Sequence, residues 1–392
     1  MKIRPVNRLA AILLGIVFLV SGLMKLQDPV GTMLIVTEYC KFFHCSFLLP
    51  AAKVLGQLLA LFEATLGVAL VTGVLRKIAA WCTCVLLGGF TVITLILWIR
   101  NPEMDCGCFG EALHLTHAQS FWKNVILLVL AVLAFLPIRN MGKPRGDRWV
   151  AAGVGFASLL FVLFYCNRHL PAVDFTAFNW GAELFASLDD DVTAENHYKP
   201  VYVFEKAGQQ GSFGLDNLPD SSWTFVRADT LFRLGPAMHT GYPILSFRSA
   251  DGEYRDALAA QGQAVVFSVY DLEKARWDVL QQQVQAVEAA GATPLVLLAS
   301  DPSLPEADRV PAGIIPYFAD YKTLVTLNRS NAGGSYFCNG ELIDKWAAVD
   351  CPTDFDAVFG TEPVDLSTRK VARRRIRAQG FLLYLTAVLI LL

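Results

Sequence analysis

Five long apolar segments constrain this chain more than any other feature of its sequence. An α-helix rises about 1.5 Å per residue, so about 20 apolar residues are needed to cross roughly 30 Å of hydrocarbon. Segments of this kind lie at approximately Leu9–Leu26, Ala51–Leu75, Ile78–Ile99, Phe121–Leu136 and Val150–Tyr165. Because 54% of all residues are apolar, the sequence predicts a multi-pass membrane protein and excludes an ordinary soluble enzyme.

The chain divides into four predicted parts. These are a four-helix transmembrane bundle at 1–140, a fifth transmembrane helix at 141–167, an extramembrane domain at 168–368, and a basic segment with a short C-terminal hydrophobic helix at 369–392. The last helix is shorter than a bilayer requires. It either spans with help from preceding residues, lies in the interface, or is a span cut short.

Basic residues between the apolar segments predict the orientation. One cluster, Lys2, Arg4 and Arg8, precedes the first apolar segment. A second, Arg76 and Lys77, lies between the second and third segments, and a third lies between the fourth and fifth: Arg139, Lys143, Arg145 and Arg148. Such clusters favour the cytoplasmic side. We therefore predict a bacterial inner (cytoplasmic) membrane protein with a cytoplasmic N-terminus and a large periplasmic domain. The basic run at 369–377 does not fit this scheme, since it would lie outside.

Seven of the nine cysteines fall on the predicted outer side, where disulfides persist. They are Cys40 and Cys45 in the first outer loop, Cys106 and Cys108 in the second, Cys166 at the end of the fifth span, and Cys338 and Cys351 in the outer domain. Cys82 and Cys84 lie within a span, where we expect them to pack as small apolar residues.

Three motifs in the first third of the chain carry a resemblance to a known family. They are VSGLMKLQDP at the end of the first span, FEATLGVALVTGVLRKIA through the second, and CGCFG after the third. With this order and spacing, residues 5–140 resemble the DoxX-like, MauE-type family of redox-associated membrane proteins. The resemblance implies a four-helix membrane bundle linked to disulfide or electron-transfer chemistry outside the membrane.

The CGC loop is the main candidate for that chemistry. A bond between Cys106 and Cys108 needs a bent backbone, which Gly107 permits, and the small strained ring would exchange readily. Cys40 and Cys45 are candidate exchange partners. One alternative is a static bridge between the two outer loops, such as Cys45 with Cys108.

A metal site is the other alternative at this loop. Cys106, Cys108, His114 and His117 supply two thiolates and two imidazoles, which suit zinc or copper, although zinc sites usually have wider cysteine spacing. The histidines alternatively cap the fourth span or lie at the headgroup level.

Glu63 is the one acid in the middle of a span, where a carboxylate costs at least about 2.5 kcal/mol. It should therefore face the bundle interior, near Gln57 or Thr65. It is a candidate catalytic residue for proton or quinone handling, which makes quinone the candidate cofactor. The alternative, which the sequence supports equally, is that Glu63 is a neutral acid that makes an interhelical hydrogen bond.

The outer domain alternates short apolar strands with amphipathic stretches. AVVFSVY and TPLVLLAS read as strands on either side of the helix LEKARWDVLQQQVQAVEAA, which Gly291 ends, and Asn339-Gly340 predicts a hairpin. The order is similar to an α/β thioredoxin-like fold. However, YDLEKA stands where such proteins carry C-x-x-C. Cys338 and Cys351 are predicted to form a structural disulfide, with two free thiols or a redox pair as alternatives.

Two functions compete at this point. The first is a component of thiol–disulfide oxidoreductase chemistry that exchanges electrons with a periplasmic thiol protein. The second is a non-catalytic scaffold whose outer domain binds an envelope assembly. Both functions imply membrane lipid as a partner. Nucleic acid is not a predicted partner, because the sequence has no basic stretch with interleaved aromatic residues.

Overall fold

A computed structural model provides the structure of the chain. It describes residues 5–102, 104, 106–136, 146–176, 178, 199–206, 209–214, 222–231, 245–300 and 309–361, with a few positions between 376 and 386. The predicted basic run at 369–377 and the last apolar segment lie largely outside the described residues.

Six long helices form the first part of the chain. They are α1 (Pro5–Gln27), α2 (Pro29–Phe42), α3 (Ala52–Thr72), α4 (Arg76–Arg100), α5 (His117–Phe135) and α6 (Gly146–Arg168), with a 3-10 turn at Ser46–Ala51. All except α2 are long and apolar enough to cross a membrane. This confirms the five predicted segments.

Helices α1 and α3 pack closely because glycines face the partner backbone. A Cβ atom added at Gly22 would lie 2.5 Å from the Ala64 nitrogen, and one at Gly67 would lie 2.5 Å from the Leu19 nitrogen. Small residues of this kind allow helices to approach in membranes. The close packing brings the middle of α3, including Glu63, against the face of α1 that carries Ser21.

Helix α2 lies in the segment predicted as the first outer loop. The Asp28 side chain accepts a hydrogen bond from the Gly31 nitrogen, and Pro29 occupies the first helical turn. An aspartate cap followed by proline is a strong helix start. The short strand β1 (Cys108–Glu111), which follows α4 in the chain, packs against both α1 and α2.

The segment 182–245 is a compact unit of its own. It contains an antiparallel sheet of three strands in the order β3-β2-β4, formed by β2 (Lys199–Lys206), β3 (Gln209–Gly214) and β4 (Thr224–Leu231).

A mixed five-stranded sheet follows, in the order β7-β6-β5-β8-β9. Strands β5 (Gln263–Val269), β6 (Thr293–Leu298) and β7 (Pro316–Phe318) are parallel, while β8 (Gly333–Cys338) and β9 (Glu341–Trp346) run antiparallel. Its helices are α7 (Ala257–Ala260), α8 (Trp277–Ala289), α9 (Tyr321–Leu327) and α10 (Asp356–Phe359). We call this part the sheet domain.

The predicted strand–helix–strand unit and hairpin are confirmed within the sheet domain. Asn339 and Gly340 both have positive φ, as a two-residue turn between antiparallel strands requires. Helix α8, however, begins at Trp277 rather than near Leu272. The Asn331 side chain bonds the backbone of Tyr270 and Asp271, which holds the preceding segment as a turn.

Candidate functional site

The CGC loop lies where β1 turns back against α1. Gly107 has φ +61°, and a Cβ atom there would come within 2.4 Å of the Ile35 side chain on α2. The left-handed conformation and the close approach both favour glycine at this position. The chain therefore bends between the two thiols, as the sequence predicts.

Cys106 is buried and held by hydrogen bonds on two sides. Its Sγ lies 2.8 Å from Ser120 Oγ in the first turns of α5, and its carbonyl accepts a 2.8 Å hydrogen bond from the Tyr39 hydroxyl. A capping box between Thr116 and Gln119 fixes the start of α5 and so the position of Ser120. The hydrogen bond to the Cys108 sulfur, together with burial, raises the pKa of Cys106.

Cys108 has the opposite electrostatic environment. The hydrogen bond from the Cys106 thiol lowers the pKa of Cys108, and although burial opposes this, the Lys123 and Lys25 ammonium groups lower it further. Lys123 Nζ also lies 5.0 Å from the centre of the Phe109 ring. These opposite shifts favour the thiolate form at Cys108 over that at Cys106.

Glu63 lies directly behind this loop. Its carboxylate is 2.6 Å from Lys25 Nζ and 2.7 Å from Ser21 Oγ, and Ser21 Oγ is also 2.6 Å from the Cys108 carbonyl oxygen. The prediction that Glu63 faces the bundle interior is confirmed. The expected neighbours were wrong: Gln57 bonds Asn167, and Thr65 Oγ1 has no hydrogen-bond partner among the described residues.

Sequence reasoning missed the three polar partners of the site. Ser21 and Lys25 are one helical turn apart in VSGLMK, so they share the face of α1 that meets Glu63. That spacing in an otherwise apolar helix is a signal that a sequence analysis could use. Lys123 is the single basic residue of α5 and carries no such pattern.

The other predicted thiols lie apart from this pair. Cys40 is buried in α2, and the Cys45 thiol donates to the Phe43 carbonyl; within the described part of the chain, neither forms a hydrogen bond to Cys106 or Cys108. All nine cysteines are free thiols.

Cys338 and Cys351 are not brought together. The sulfur of Cys351 lies beside Gly334, whereas Cys338 is four residues further along β8. The two thiols are not joined by a disulfide.

The predicted metal ligands do not converge. His117 Nε2 lies 3.0 Å from the Pro102 carbonyl oxygen, and His114 is exposed. Over the described ranges there is no group of three or more His, Cys, Asp or Glu side chains that suits a metal ion.

The sheet domain contacts the start of α2 and the end of β1 through a buried arginine. Arg329 Nε lies 3.1 Å from Asp28 Oδ2, and its Nη2 lies 3.2 Å from Glu111 Oε1 at the end of β1. Burial opposes its charge, but the two carboxylates outweigh burial and raise the pKa of Arg329. Lys345 and Asp174 form a second buried pair at 2.5 Å.

Five helices able to span a membrane and a dithiol loop at their ends define a multi-pass membrane protein. Residues 3–137 match the family described as methylamine utilisation protein MauE, which supports a MauE-type membrane protein. Residues 198–232 match a domain of unknown function.

A curated relative extends this comparison. The chain is 23% identical over 168 residues to Protein TlpB of Flavobacterium psychrophilum. The match covers 42% of this chain and 46% of the relative, so the chain spans about half the length of the protein it matches. No solved structure matches the chain.

Proposed function

We propose that this membrane protein exchanges electrons with a partner thiol protein through Cys106 and Cys108. The observation that carries the proposal is the bent CGC loop, in which Gly107 has φ +61°, Cys106 lies buried 2.8 Å from Ser120 Oγ, and Lys123 lies over Phe109 beside Cys108 and lowers its pKa. The MauE match supports a membrane bundle of the type that the sequence resemblance associates with redox chemistry.

The exchange has two balanced steps. The Cys108 thiolate attacks one sulfur of a partner disulfide, which forms a mixed disulfide and releases the other sulfur as a thiolate. Cys106 then gives up its proton, attacks Cys108 and releases the second partner thiolate. Two electrons leave the dithiol, the Cys106–Cys108 bond forms, and the partner ends as a dithiol; the reverse steps oxidise a partner.

The proposal includes an orientation and a role for the sheet domain. The basic clusters support placing the CGC loop on the periplasmic side of the inner membrane. The parallel β5-α8-β6 unit followed by the β8-β9 hairpin supports a thioredoxin-like domain. Because YDLEKA follows β5 in place of C-x-x-C, we assign that domain to docking rather than thiol exchange.

Single cysteine variants test the exchange. Cys106→Ser keeps the nucleophile and lacks the resolving thiol, so it should accumulate mixed disulfides with a partner, visible on non-reducing gels and absent after reduction. Cys108→Ser should trap none, and Cys82→Ser, at the far end of α4, serves as the control. Equal trapping by the Cys106 and Cys108 variants, or trapping by neither, would contradict the proposal.

A scaffold is the second candidate, and the Arg329 contact favours it. A buried ion-pair cluster fixes the sheet domain to the bundle, as an anchored binding domain requires. This function predicts that Cys106→Ser and Cys108→Ser leave the cellular phenotype intact, whereas removal of the sheet domain abolishes it.

A further inference from the structure

Lys25 of α1 lies between the Glu63 carboxylate and the strand that carries Cys108. Its Nζ is 2.6 Å from Glu63 Oε2, and its Cγ lies 3.9 Å from the position that a Cβ atom at Gly110 would take. Both charged side chains are buried, with exposed fractions of 7% for Lys25 and 4% for Glu63. The ion pair is therefore held behind β1 and away from a solvated surface.

Ser21 joins this ion pair to the backbone of the CGC loop. Its Oγ is 2.7 Å from Glu63 Oε1 and 2.6 Å from the carbonyl oxygen of Cys108. Helix α1 places Ser21 and Lys25 one turn apart, so Glu63 contacts one of them through each of its two oxygens. These contacts hold the ion pair at a fixed position relative to Cys108.

Stability does not explain why the chain carries this ion pair. A buried ion pair contributes little to the free energy of folding, because desolvation of the two charges offsets their attraction. Lys25 and Glu63 also lie in two membrane-spanning segments, where charged side chains are costly and usually have a function. Their position beside the two thiols indicates what that function is.

The charge beside Lys25 changes when the two thiols react. The hydrogen bond from Cys106 lowers the pKa of Cys108 to about 5, and although burial opposes this, Lys123 and Lys25 lower the pKa further. At pH 7, reduction of a Cys106–Cys108 disulfide therefore takes up two electrons and one proton, which stays on Cys106, and leaves one negative charge on Cys108. A cation near that charge stabilises the reduced form and makes the disulfide more oxidising.

We propose that Lys25 and Glu63 are positioning residues that set the reduction potential of the Cys106–Cys108 pair, an inference that rests on the proposed thiol exchange. Lys25 attracts the Cys108 thiolate from α1, as Lys123 does from α5. Glu63 limits the attraction by Lys25, because its carboxylate neutralises the same ammonium group. Removing one member of the ion pair should therefore shift the potential in the direction opposite to removing the other.

Redox equilibration of the full-length protein in a neutral detergent tests this inference. The protein is equilibrated at pH 7 with mixtures of reduced and oxidised glutathione, quenched with acid and alkylated. Mass spectrometry then gives the oxidised fraction of the peptide that contains Cys106 and Cys108. Glu63→Gln should shift the equilibrium constant about tenfold toward the dithiol, and Lys25→Met about tenfold toward the disulfide. A tenfold change corresponds to one pKa unit and to about 30 mV for a two-electron couple.

The double variant Lys25→Met/Glu63→Gln should give an equilibrium constant between those of the two single variants. It replaces a buried ion pair by neutral groups, a change that proteins often tolerate. Comparison of either single variant with the double variant therefore gives the sign of one charge even where the other single variant does not fold. Glu273→Gln and Arg309→Met, from an exposed ion pair of the sheet domain, are the matched controls and should leave the equilibrium constant unchanged.

Two results would overturn the role of Lys25 and Glu63. The first is a shift in the same direction for both single variants, which a general loosening of the loop would produce. The second is a reversible Cys106–Cys108 disulfide whose equilibrium constant is the same in all variants. The absence of any reversible disulfide between Cys106 and Cys108 in the unmodified protein would instead overturn the proposed thiol exchange, and this inference with it.

Discussion

At the scale of single residues, the environment shifts the pKa values of two chemically identical thiols in opposite directions. Cys106 is buried beside the Ser120 hydroxyl and the Leu115 carbonyl, and the neighbouring Cys108 sulfur and burial raise its pKa. Cys108 accepts a hydrogen bond from Cys106 and lies near the ammonium group of Lys123. Paired titratable groups whose environments push their pKa values apart are typical of reactive sites.

This asymmetry predicts the pH dependence of alkylation. Because the pKa of Cys108 is lowered, its thiolate persists below the ordinary thiol pKa of about 8.5 and is lost only as the pH falls through the lowered value. Iodoacetamide should therefore label Cys108 well below pH 7, as measured by mass spectrometry of the peptide. Lys123→Met should raise the pKa of Cys108 from about 5 by about one unit and so reduce the rate at pH 5 by about fivefold.

Lys41→Met is the control for that experiment, since Lys41 lies on the exposed end of α2. It should leave the profile unchanged. A half-maximal rate near pH 8.5 in the unmodified chain would contradict the assignment of Cys108 as the thiolate.

At the scale of elements, Arg329 joins the sheet domain to α2 and β1. Asp28 both caps α2 and pairs with Arg329, while Glu111 ends the strand that begins at Cys108. The sheet domain is thus tied to the loop that carries the thiols. Displacement of Arg329 should loosen the domain and the loop together.

Arg329→Met leaves Asp28 and Glu111 without their cation. Removing one partner of a buried ion pair typically costs about 3–5 kcal/mol, so the melting temperature in detergent should fall clearly. Proteolysis should also begin to release the sheet domain. Arg276→Met, before the first turn of α8 and outside these contacts, is the control; equal stability of both variants would contradict the role of Arg329.

Local patterns predicted most of these elements, and distant pairs account for what they missed. Apolar length identified the spanning helices, and Asn339-Gly340 identified the β8-β9 turn, because both signals lie within a short stretch of chain. The start of α8 was misplaced because Asn331, about 60 residues away, holds the turn before it. Lys25 was missed because its partner Glu63 lies on another helix.

At the scale of the whole molecule, long-range ion pairs hold the sheet domain to the bundle. Arg329 pairs with Asp28 across 301 positions, and Lys322 pairs with Glu38 across 284. Charges alone did not reveal these partners, because nothing in the sequence around Asp28 or Glu38 indicates which distant cation pairs with it. The contacts place the CGC loop and the sheet domain on the same side of the bundle.

The orientation of the whole molecule can be tested by labelling from one side. In a variant that retains Cys45 and lacks the other eight cysteines, a membrane-impermeant maleimide added to spheroplasts should label Cys45. A cysteine replacing Lys77, in the predicted cytoplasmic loop, should be labelled only after lysis. The reverse pattern would contradict the predicted orientation. A chain without cysteines, treated in the same way, measures the background labelling.

The sequence distance between Arg329 and Asp28 also sets an order of events during synthesis. At roughly 5–20 residues per second, a ribosome needs about 15–60 s to extend the chain from one partner to the other. Until Arg329 has been made, Asp28 and, once synthesised, Glu111 remain without their cation. The contact between the bundle and the sheet domain therefore forms only after the whole bundle has been synthesised.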